Sequence, residues 1–554
     1  MDGNTLVVGF VGFFVLASIG ITWWSSRSTT SASEFYVAGK GVPWVQVGIA
    51  MVGSYLSAAS FLGCPGDIGV FGIDSIWLSI GFFGGYMALL MLIAGPLRNV
   101  GSFTVAGALA RRFPDDKLKL AVMICTLIIS TFYLVPQMLG AGLLFELLMG
   151  WNFLACTIGL GVLMCFYIVF GGMKSTLYNQ VIQALFLWAA MVVLVIMAFF
   201  IVGDGSVDGI LATANQTVPP MVAGKDPAVV EALRSMPALP ADASTAQVLE
   251  QSKQAIATAR QMMPEAPSAM SIGVKTSDTL AMVSTIIALV FGTAGLPHIL
   301  IMFFTVPSAR AAKKSVTLCI VALGIFYLCA IVLGFLLFPA IYPKLVNWIS
   351  QGGSGVGLAK NMAVLEISNM VGGKWLMAIG AAGAVAAILS TAAGLMITVA
   401  GTVSNDLYKV YINKNATEKQ ELMIARITTV VMSAVAVILA VALKEQNIAW
   451  LVMLGFGIAA SAIFPGMLAT LWWRGATRQG VIASIVTGLV VSCVFIVLLL
   501  CGVKSFLGLP TSGGPGVFGV TAGFIALFVV SKLTSDHGKD LDQFMALAHK
   551  PDAD

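Results

Sequence analysis

The chain has 554 residues, of which 58% are hydrophobic and only 10% are charged, whereas a soluble domain carries about 25% charged residues. With a mean hydropathy of +0.96, this composition excludes an ordinary soluble protein and indicates an all-α polytopic membrane protein. The formal net charge of +5 is small, and no nucleic-acid partner is expected.

Thirteen apolar segments are each long enough to cross a bilayer, which takes about 20 residues. Spans 1 to 13 are predicted near 5–25, 44–66, 76–97, 120–149, 153–173, 180–203, 278–305, 316–342, 375–402, 427–443, 448–473, 479–501 and 516–531. Span 1 follows a start without basic residues, which argues against a cleaved signal peptide.

Basic residues set the predicted orientation. With the N-terminus outside, the cytoplasmic loops and the tail hold 20 of the 30 Lys and Arg residues, and the outer loops other than 204–277 hold 5. Because short loops rich in Lys and Arg stay in the cytoplasm, we predict a multi-pass protein with its N-terminus outside and its C-terminus cytoplasmic.

Few chemically reactive groups lie inside the predicted spans. No Lys or Arg does, and Glu146 is the one clearly intramembrane acid, expected as a carboxylate at the rim of span 4. This pattern argues against a voltage sensor or a proton relay. The eight cysteines show neither metal spacing nor a disulfide framework, and no nucleophile–base set indicates an enzyme.

Two extramembrane regions stand out. Residues 204–277 are rich in Pro, Ala, Asp and Glu and are expected to form a solvated extracytoplasmic cap or spacer, with a polar helix around 243–262. Residues 532–554 are polar and charged, and are predicted to form a cytoplasmic tail.

Spans 2 and 7 contain helix-breaking sequences, "GSYLSAASFLGCPG" at 53–66 and "GTAGLPH" at 292–298. Broken backbone in a membrane is tolerated only where it faces protein or a watery cavity, and breaks at matching positions of two halves indicate an inverted-repeat transporter. The alternative is that Gly and Pro are simply common in membrane helices.

Span 9 carries a third feature. Ala387, Ser390 and Thr391 are three and four residues apart and share one helix face, so that two hydroxyls could serve as oxygen ligands. The alternative is ordinary packing of small residues, with each hydroxyl bonded to the carbonyl one turn earlier.

These motifs, in this order, resemble the solute:sodium symporter family. The resemblance rests on "GSYLSAASFLG" at 53–63, "RNVGSFTVAGALARRF" at 98–113, "YIVFGGMKSTLYNQVIQ" at 167–183, "GLPHILIMFF" at 295–304, "AAILSTAAG" at 386–394 and "SNDLYK" at 404–409. It covers roughly residues 5–475 and is closest to the bacterial acetate/monocarboxylate permease branch.

The resemblance implies a LeuT-like 5+5 inverted repeat with broken helices in spans 2 and 7, in a bacterial inner membrane. The domains would be a first helix and loop (1–43), the first repeat with spans 2–6 (44–203), the extracytoplasmic loop (204–277), the second repeat with spans 7–11 (278–473), two peripheral helices (474–531) and the tail (532–554).

Carried over residue by residue, the resemblance implies a sodium site. Its ligands would be the main-chain carbonyls of Gly53, Leu56 and Ala387 and the hydroxyls of Ser390 and Thr391. Five neutral oxygens suit a cation that must also be released.

The sequence departs from the family at two positions. Where some members have an aspartate associated with a second cation, this chain has Tyr178-Asn179-Gln180, so that Gln180 is the candidate ligand of a second cation. Where the family often has an arginine four residues after the motif histidine, this chain has Met302.

The substrate site is predicted at the break of span 7, whose main-chain N–H groups could hold a carboxylate. Pro297 and His298 are assigned structural or gating roles, with the imidazole donating a hydrogen bond that fixes the bend; direct substrate contact or proton sensing is the alternative. The candidate substrate-binding residues are Ser57, Ser60, Tyr133, Gln137, Gly292, Thr293 and Gly295.

The predicted function is sodium-coupled import of a short monocarboxylate, namely acetate, propionate, pyruvate or lactate, by alternating access. A proton-coupled carrier, or a carrier of another small solute such as an amino acid, is the alternative, and a channel or membrane sensor fits less well. The expected partners are the carboxylate, sodium and the lipid bilayer. Some relatives are encoded beside a small membrane protein, which leaves a small partner subunit open.

Overall fold

The computed structural model describes residues 3–27, 31–240, 243–276, 278–444, 448–506, 509–538 and 540–551. In the first half of the chain, the spans are Gly3–Ser26 (span 1), Trp44–Tyr55 with Ala59–Gly63 and Cys64–Phe71 (span 2), Ile76–Ala88 with Leu89–Ile93 and Ala94–Val100 (span 3), Asp116–Met149 (span 4) and Phe153–Ile201 (spans 5 and 6). Short helices at Ala32–Val37, Ala38–Lys40, Gly72–Ser75 and Val105–Ala110 lie between them.

In the second half, the spans are Thr279–Gly295 with Pro297–Leu300 and Ile301–Phe304 (span 7), Ala309–Ser350 (span 8), Gly353–Thr402 with Val403–Ile412 (span 9), Glu418–Ala442 (span 10), Ile448–Ile458 with Ala459–Ile463 and Phe464–Trp472 (span 11), Arg478–Leu500 (span 12) and Gly516–Leu533 (span 13). The strands Ser505–Phe506 and Leu509–Pro510 pair as an antiparallel hairpin between spans 12 and 13.

Eleven helices in the described part of the chain are long and apolar enough to cross a membrane. The other two predicted spans also have helical counterparts. Span 2 is divided by its break, and span 5 contributes the shorter apolar helix Phe153–Phe166. Spans 5 and 6 are joined without a loop, because Gly172 turns the chain with a positive φ of 61°, a conformation that favours glycine.

Span 2 breaks immediately after Tyr55. Leu56 leaves the helix with a ψ of 98°, and the next helical turn starts from Ser57, whose carbonyl accepts hydrogen bonds from the N–H groups of Ser60 and Phe61. Carbonyl oxygens at the end of the first half-helix therefore lack the partners that a continuous helix would provide.

Span 7 breaks one residue after Gly295. Leu296 has a ψ of 115°, and Pro297 begins the following helical turn. A proline fits this position because the first residue of a helix needs no N–H donor. Both sequence-predicted breaks are confirmed.

Span 9 lies in the centre of the bundle, where it packs most extensively against the helix of spans 5 and 6. Gly373, with a φ of 62°, separates the predicted span from a preceding helical segment that begins at Gly353. Small side chains line this helix, and Ala387, Ser390 and Thr391 are fully buried, which allows neighbouring backbones to approach closely.

The 204–277 segment folds onto the bundle. It contains the helices Val207–Gln216, Pro220–Ala223, Pro227–Arg234 and Thr245–Met262; the last confirms the predicted polar helix. Ser252 donates a hydrogen bond to the carbonyl of Ala340, and Tyr342 donates one to that of Val218. The segment is thus packed against span 8 and is not a solvated spacer. We call the side of the bundle that carries it the cap face.

The opposite side, which we call the tail face, carries the C-terminal helix Leu541–Ala548. Asn99, after span 3, donates to the carbonyl of Ala548, and a ring nitrogen of His549 lies 2.8 Å from the carbonyl oxygen of Leu471 in span 11. The polar tail is therefore docked against the ends of two spans.

At the rim of span 4, Glu146 pairs with Lys444 at 2.8 Å, as expected for a rim carboxylate.

Candidate functional site

The hydroxyl of Ser390 connects span 9 to the broken end of span 2. Its oxygen lies 2.6 Å from the carbonyl oxygen of Gly53 and 3.1 Å from that of Ala387. Three of the five oxygens predicted for the sodium site thus form one cluster. Gly53 lies in the last turn before the break, where carbonyls lack helical partners.

The other two predicted sodium ligands are next to this cluster in the chain. Thr391 follows Ser390, is fully buried, and its hydroxyl has no hydrogen-bond partner within the described part of the chain. Leu56 is the residue at which the span 2 half-helix ends. A buried hydroxyl without a partner is costly, so a cation accepting its lone pair fits this position.

Gln180, the candidate ligand of a second cation, borders the same cluster. Its amide nitrogen donates to the carbonyl of Ser390 at 3.0 Å, while its amide oxygen has no partner among the described residues. The backbones of spans 2 and 6 also pack closely here, since a Cβ on Gly53 would lie 2.6 Å from the carbonyl oxygen of Gln180. Gln180 therefore adjoins the first site.

The cluster has the chemistry of a site for a small hard cation. Its members are neutral carbonyl, hydroxyl and amide oxygens, and such cations prefer oxygen ligands. The neutral ligand set holds the cation less tightly than carboxylates would, which permits release during transport.

Tyr55 is the centre of a second polar group, next to the break of span 2. Its hydroxyl donates to the carbonyl of Phe82 at 2.8 Å and lies 2.7 Å from the hydroxyl of Thr293 in span 7. The Thr293 hydroxyl also lies 2.8 Å from the carbonyl oxygen of Leu289, one turn earlier, so the protons of the two hydroxyls are shared among these oxygens. The two broken spans are therefore linked through a pair of hydroxyls.

Span 4 completes this group with two predicted residues. The Tyr133 hydroxyl donates to the carbonyl of Tyr55 at 3.4 Å, and the Ser57 side chain lies beside it. Gln137 donates to the carbonyl of Tyr133 at 3.3 Å, and its buried amide oxygen has no partner among the described residues. Ser57, Thr293 and Tyr133 are thus brought together around Tyr55, and Gln137 lies one helical turn from Tyr133.

The other predicted substrate residues make different contacts. Ser60 turns to the hydroxyl of Tyr327 in span 8, at 3.0 Å. Gly292 and Gly295 face span 11, where a Cβ on the first would meet the carbonyl of Phe456 and one on the second would lie 2.5 Å from the carbonyl oxygen of Ala459. These two glycines allow close packing of spans 7 and 11.

His298 does not fix the bend by a hydrogen bond, contrary to the prediction. The residue is buried, neither ring nitrogen has a protein partner in the described part of the chain, and the ring packs edge to face on Tyr133 with centroids 5.4 Å apart. Pro297 has no N–H, and Ile299 and Leu300 both donate to Leu296. No backbone hydrogen bond from the main-chain N–H of His298 is found among the described residues.

Four aromatic residues at the polar group around Tyr55 were not predicted from the sequence, namely Tyr55 itself, Phe82, Tyr327 and Phe456. Their rings are 5.3 to 6.1 Å apart in neighbouring pairs. Tyr55 carried a signal, since it directly precedes the break. The others lie in apolar spans whose sequences do not indicate which aromatic side chain faces the centre.

Two discontinuous helices that meet beside a buried oxygen cluster define a secondary transporter of the inverted-repeat class. Residues 35–488 match the Sodium:solute symporter family. The chain belongs to this family, and it is a transporter and not an enzyme. It is a sodium-coupled symporter with a LeuT-like 5+5 inverted repeat, as the sequence predicted.

Two relatives span most of the chain. The Uncharacterized symporter YwcA of Bacillus subtilis is 34% identical over 99% of this chain and 98% of its own length. The Monocarboxylic acid transporter of Corynebacterium glutamicum is 35% identical over 88% of this chain and 82% of its own length.

Solved structures match the fold. A Na⁺-coupled sialic acid symporter in a substrate-bound outward-open state has a TM-score of 0.70 at 15% identity, covering 96% of this chain and 98% of its own. Mhp1, a nucleobase-cation-symport-1 family transporter, in a closed conformation has a TM-score of 0.51 at 14% identity, covering 94% of this chain and 100% of its own. At these identities, the similarity concerns the fold alone.

Proposed function

We propose that this symporter imports a short monocarboxylate, such as acetate, propionate, pyruvate or lactate, together with sodium. The observation that carries the proposal is the convergence of both helix breaks on one polar group, in a chain 35% identical to a protein named Monocarboxylic acid transporter. Sodium would bind at the Ser390–Gly53 cluster, with Leu56, Ala387 and Thr391 completing the ligands.

The carboxylate would bind at the break of span 7. The N–H of His298 lies at a helical N-terminus, which favours negative charge. The hydroxyls of Thr293 and Tyr133 each have one proton, which would turn from its present carbonyl acceptor to the anion. At the position where the family often has an arginine, Met302 is buried. Main-chain and hydroxyl donors would therefore hold the anion.

Aromatic packing supports a small substrate. The Tyr55 ring lies 4.8 Å from that of Tyr86 and 6.1 Å from that of Phe456, and the Tyr133 ring lies 5.4 Å from Phe456. Rings this close to the hydroxyls favour a carbon chain of two or three atoms over a bulky solute.

The test is uptake of a panel of labelled carboxylates and amino acids into proteoliposomes, with either a sodium or a proton gradient. We expect sodium-dependent uptake of one or more short monocarboxylates and none of amino acids. Uptake driven by a proton gradient in the absence of sodium, or a preference for amino acids, would contradict the proposal. Protein-free liposomes are the control.

A further inference from the structure

A cavity of about 400 Å³ opens on the cap face, away from the sites described above. Leu78 of span 3 and Met453 of span 11 are among its lining residues. Phe82 and Phe456 of the central aromatic group lie four and three residues further along these helices, which is about one turn deeper. The cavity is thus separated from the central polar group by this aromatic layer.

Two lysines and an aspartate lie together in the wall of this cavity. Asp67, on the half of span 2 that follows the break, is buried and pairs with both Lys275 and Lys360; its oxygen lies 2.7 Å from the Lys360 nitrogen. Asp67 also accepts a hydrogen bond from Ser75. Two ammonium groups thus share one carboxylate.

Asp74, the second carboxylate at the cavity, forms hydrogen bonds with the main chain. Asp74 accepts hydrogen bonds from the backbone N–H groups of Lys275 and Thr276, which fixes the start of the lysine side chain. Both ammonium groups lie near the ring of Phe71, with Lys360 at 4.7 Å and Lys275 at 5.5 Å from its centroid. The two positive charges are therefore held in place.

An ammonium group has three N–H donors, so each lysine keeps donors for a further acceptor after it has bonded to Asp67. Trp77, Trp450 and Met453 supply apolar wall in the same cavity. Paired donors beside an apolar surface match a small organic anion, whose carboxylate would bind the lysines and whose carbon chain would contact the wall.

We propose that Lys275 and Lys360 form a first binding site for the carboxylate of the substrate, which the anion occupies before it passes the aromatic layer. This inference rests on the proposed function, because it takes the substrate to be a short monocarboxylate. Asp67 competes with the substrate for the two ammonium groups, and the substrate binds by displacing part of this pairing.

Uptake kinetics test the site, because the lysine variants and the aspartate variant should change KM in opposite directions. Lys275→Gln and Lys360→Gln should each raise the KM for carboxylate by about fivefold, the range of a partly exposed ion pair, with kcat retained. Asp67→Asn should lower KM, because it removes the competing carboxylate. Lys344→Gln is the matched control, since Lys344 pairs with Glu366 on the cap face and does not line this cavity.

The unaltered chain provides a second test that does not depend on how variants fold. Lysines are acylated with a membrane-impermeant amine reagent in sodium-free buffer that contains either propionate or chloride at equal concentration. Mass spectrometry then identifies the acylated lysines. We expect propionate to slow the acylation of Lys275 and Lys360 several-fold and to leave Lys344 unchanged.

The first binding site would be overturned by an unchanged KM in both lysine variants. It would also be overturned if each of the three lysines were acylated at the same rate in propionate as in chloride. If Asp67→Asn raised KM as much as the lysine variants do, Asp67, Lys275 and Lys360 would have a structural role instead. Failure of the proposed function is a different result, namely no sodium-dependent carboxylate uptake by the unaltered protein.

Discussion

The hydroxyl oxygen of Ser390 lies 2.6 Å from the carbonyl oxygen of Gly53, although the two residues are 337 positions apart. This contact joins the central helix of the second repeat to the broken helix of the first. Alternating access moves repeats relative to one another, so a cation bound between these residues would stabilise one arrangement over the other. Binding and conformational change would thus be coupled.

Thr391→Ala is expected to raise the sodium concentration required for half-maximal uptake, with a smaller effect for Ser390→Ala. The Thr391 hydroxyl has no protein partner among the described residues, so its removal would delete a proposed cation ligand without breaking an internal hydrogen bond. The measurement is initial uptake as a function of sodium concentration in proteoliposomes.

Thr398→Ala is the matched control for these variants. Thr398 lies on the same helix, and its hydroxyl bonds to the carbonyl of Gly394 one turn earlier, so the variant should keep the sodium dependence of the unaltered protein. An unchanged sodium dependence in both Thr391→Ala and Ser390→Ala would rule out the assigned ligands.

Gly53→Ala should impair transport and lower thermal stability. The added Cβ would lie 2.6 Å from the carbonyl oxygen of Gln180, so spans 2 and 6 must separate, at a cost of about 1–3 kcal/mol for overpacking. Measurements of Tm and sodium-dependent uptake check this. Gly9→Ala, where a Cβ meets nothing within 4 Å, is the control. Normal transport and stability of Gly53→Ala would contradict the close packing.

One sodium ion and one carboxylate anion together carry no net charge, so we expect an electroneutral 1:1 cycle. Gln180, the candidate second ligand, is neutral and donates to Ser390, so it supplies no charge to bind a second cation tightly. Substrate-induced current on a solid-supported membrane at saturating sodium is the measurement, with labelled uptake as the positive control. A sustained inward positive current would require a second coupled cation.

Arg112→Met is expected to destabilise the tail face. The buried guanidinium of Arg112 donates to the carbonyls of Ala469, Thr470, Trp473, Arg474, Ala476 and His537. Burial and the nearby Arg474 lower the pKa of Arg112 to about 10, so the group stays charged at neutral pH. Losing these charged hydrogen bonds should cost at least about 2 kcal/mol and lower Tm.

Arg474→Met is the control for Arg112→Met. Its side chain pairs with Asp542 at the exposed surface, where an ion pair contributes at most about 1 kcal/mol. Equal Tm shifts in the two variants would contradict a stabilising role of the Arg112 hydrogen bonds between the loop after span 3, the end of span 11 and the tail.

The chain order of apolar segments determined the helical membrane fold, and the Gly, Pro and Ser patterns located both helix breaks. These features are local: a proline or a run of hydroxyls alters hydrogen bonding within its own turn. The grouping of Ala387, Ser390 and Thr391 on one face likewise follows from the helical period alone.

Which residues meet across the bundle was decided only by tertiary structure. Gly292 and Gly295 lie at the break but face the carbonyls of span 11, so Gly295→Val would test packing and not anion binding. His298 packs on Tyr133, and the imidazole of His298 has no hydrogen-bond partner among the described residues. Gln180 adjoins Ser390. The direction of a side chain in a buried helix depends on how that helix is rotated against its neighbours, and an all-round apolar sequence does not encode this rotation.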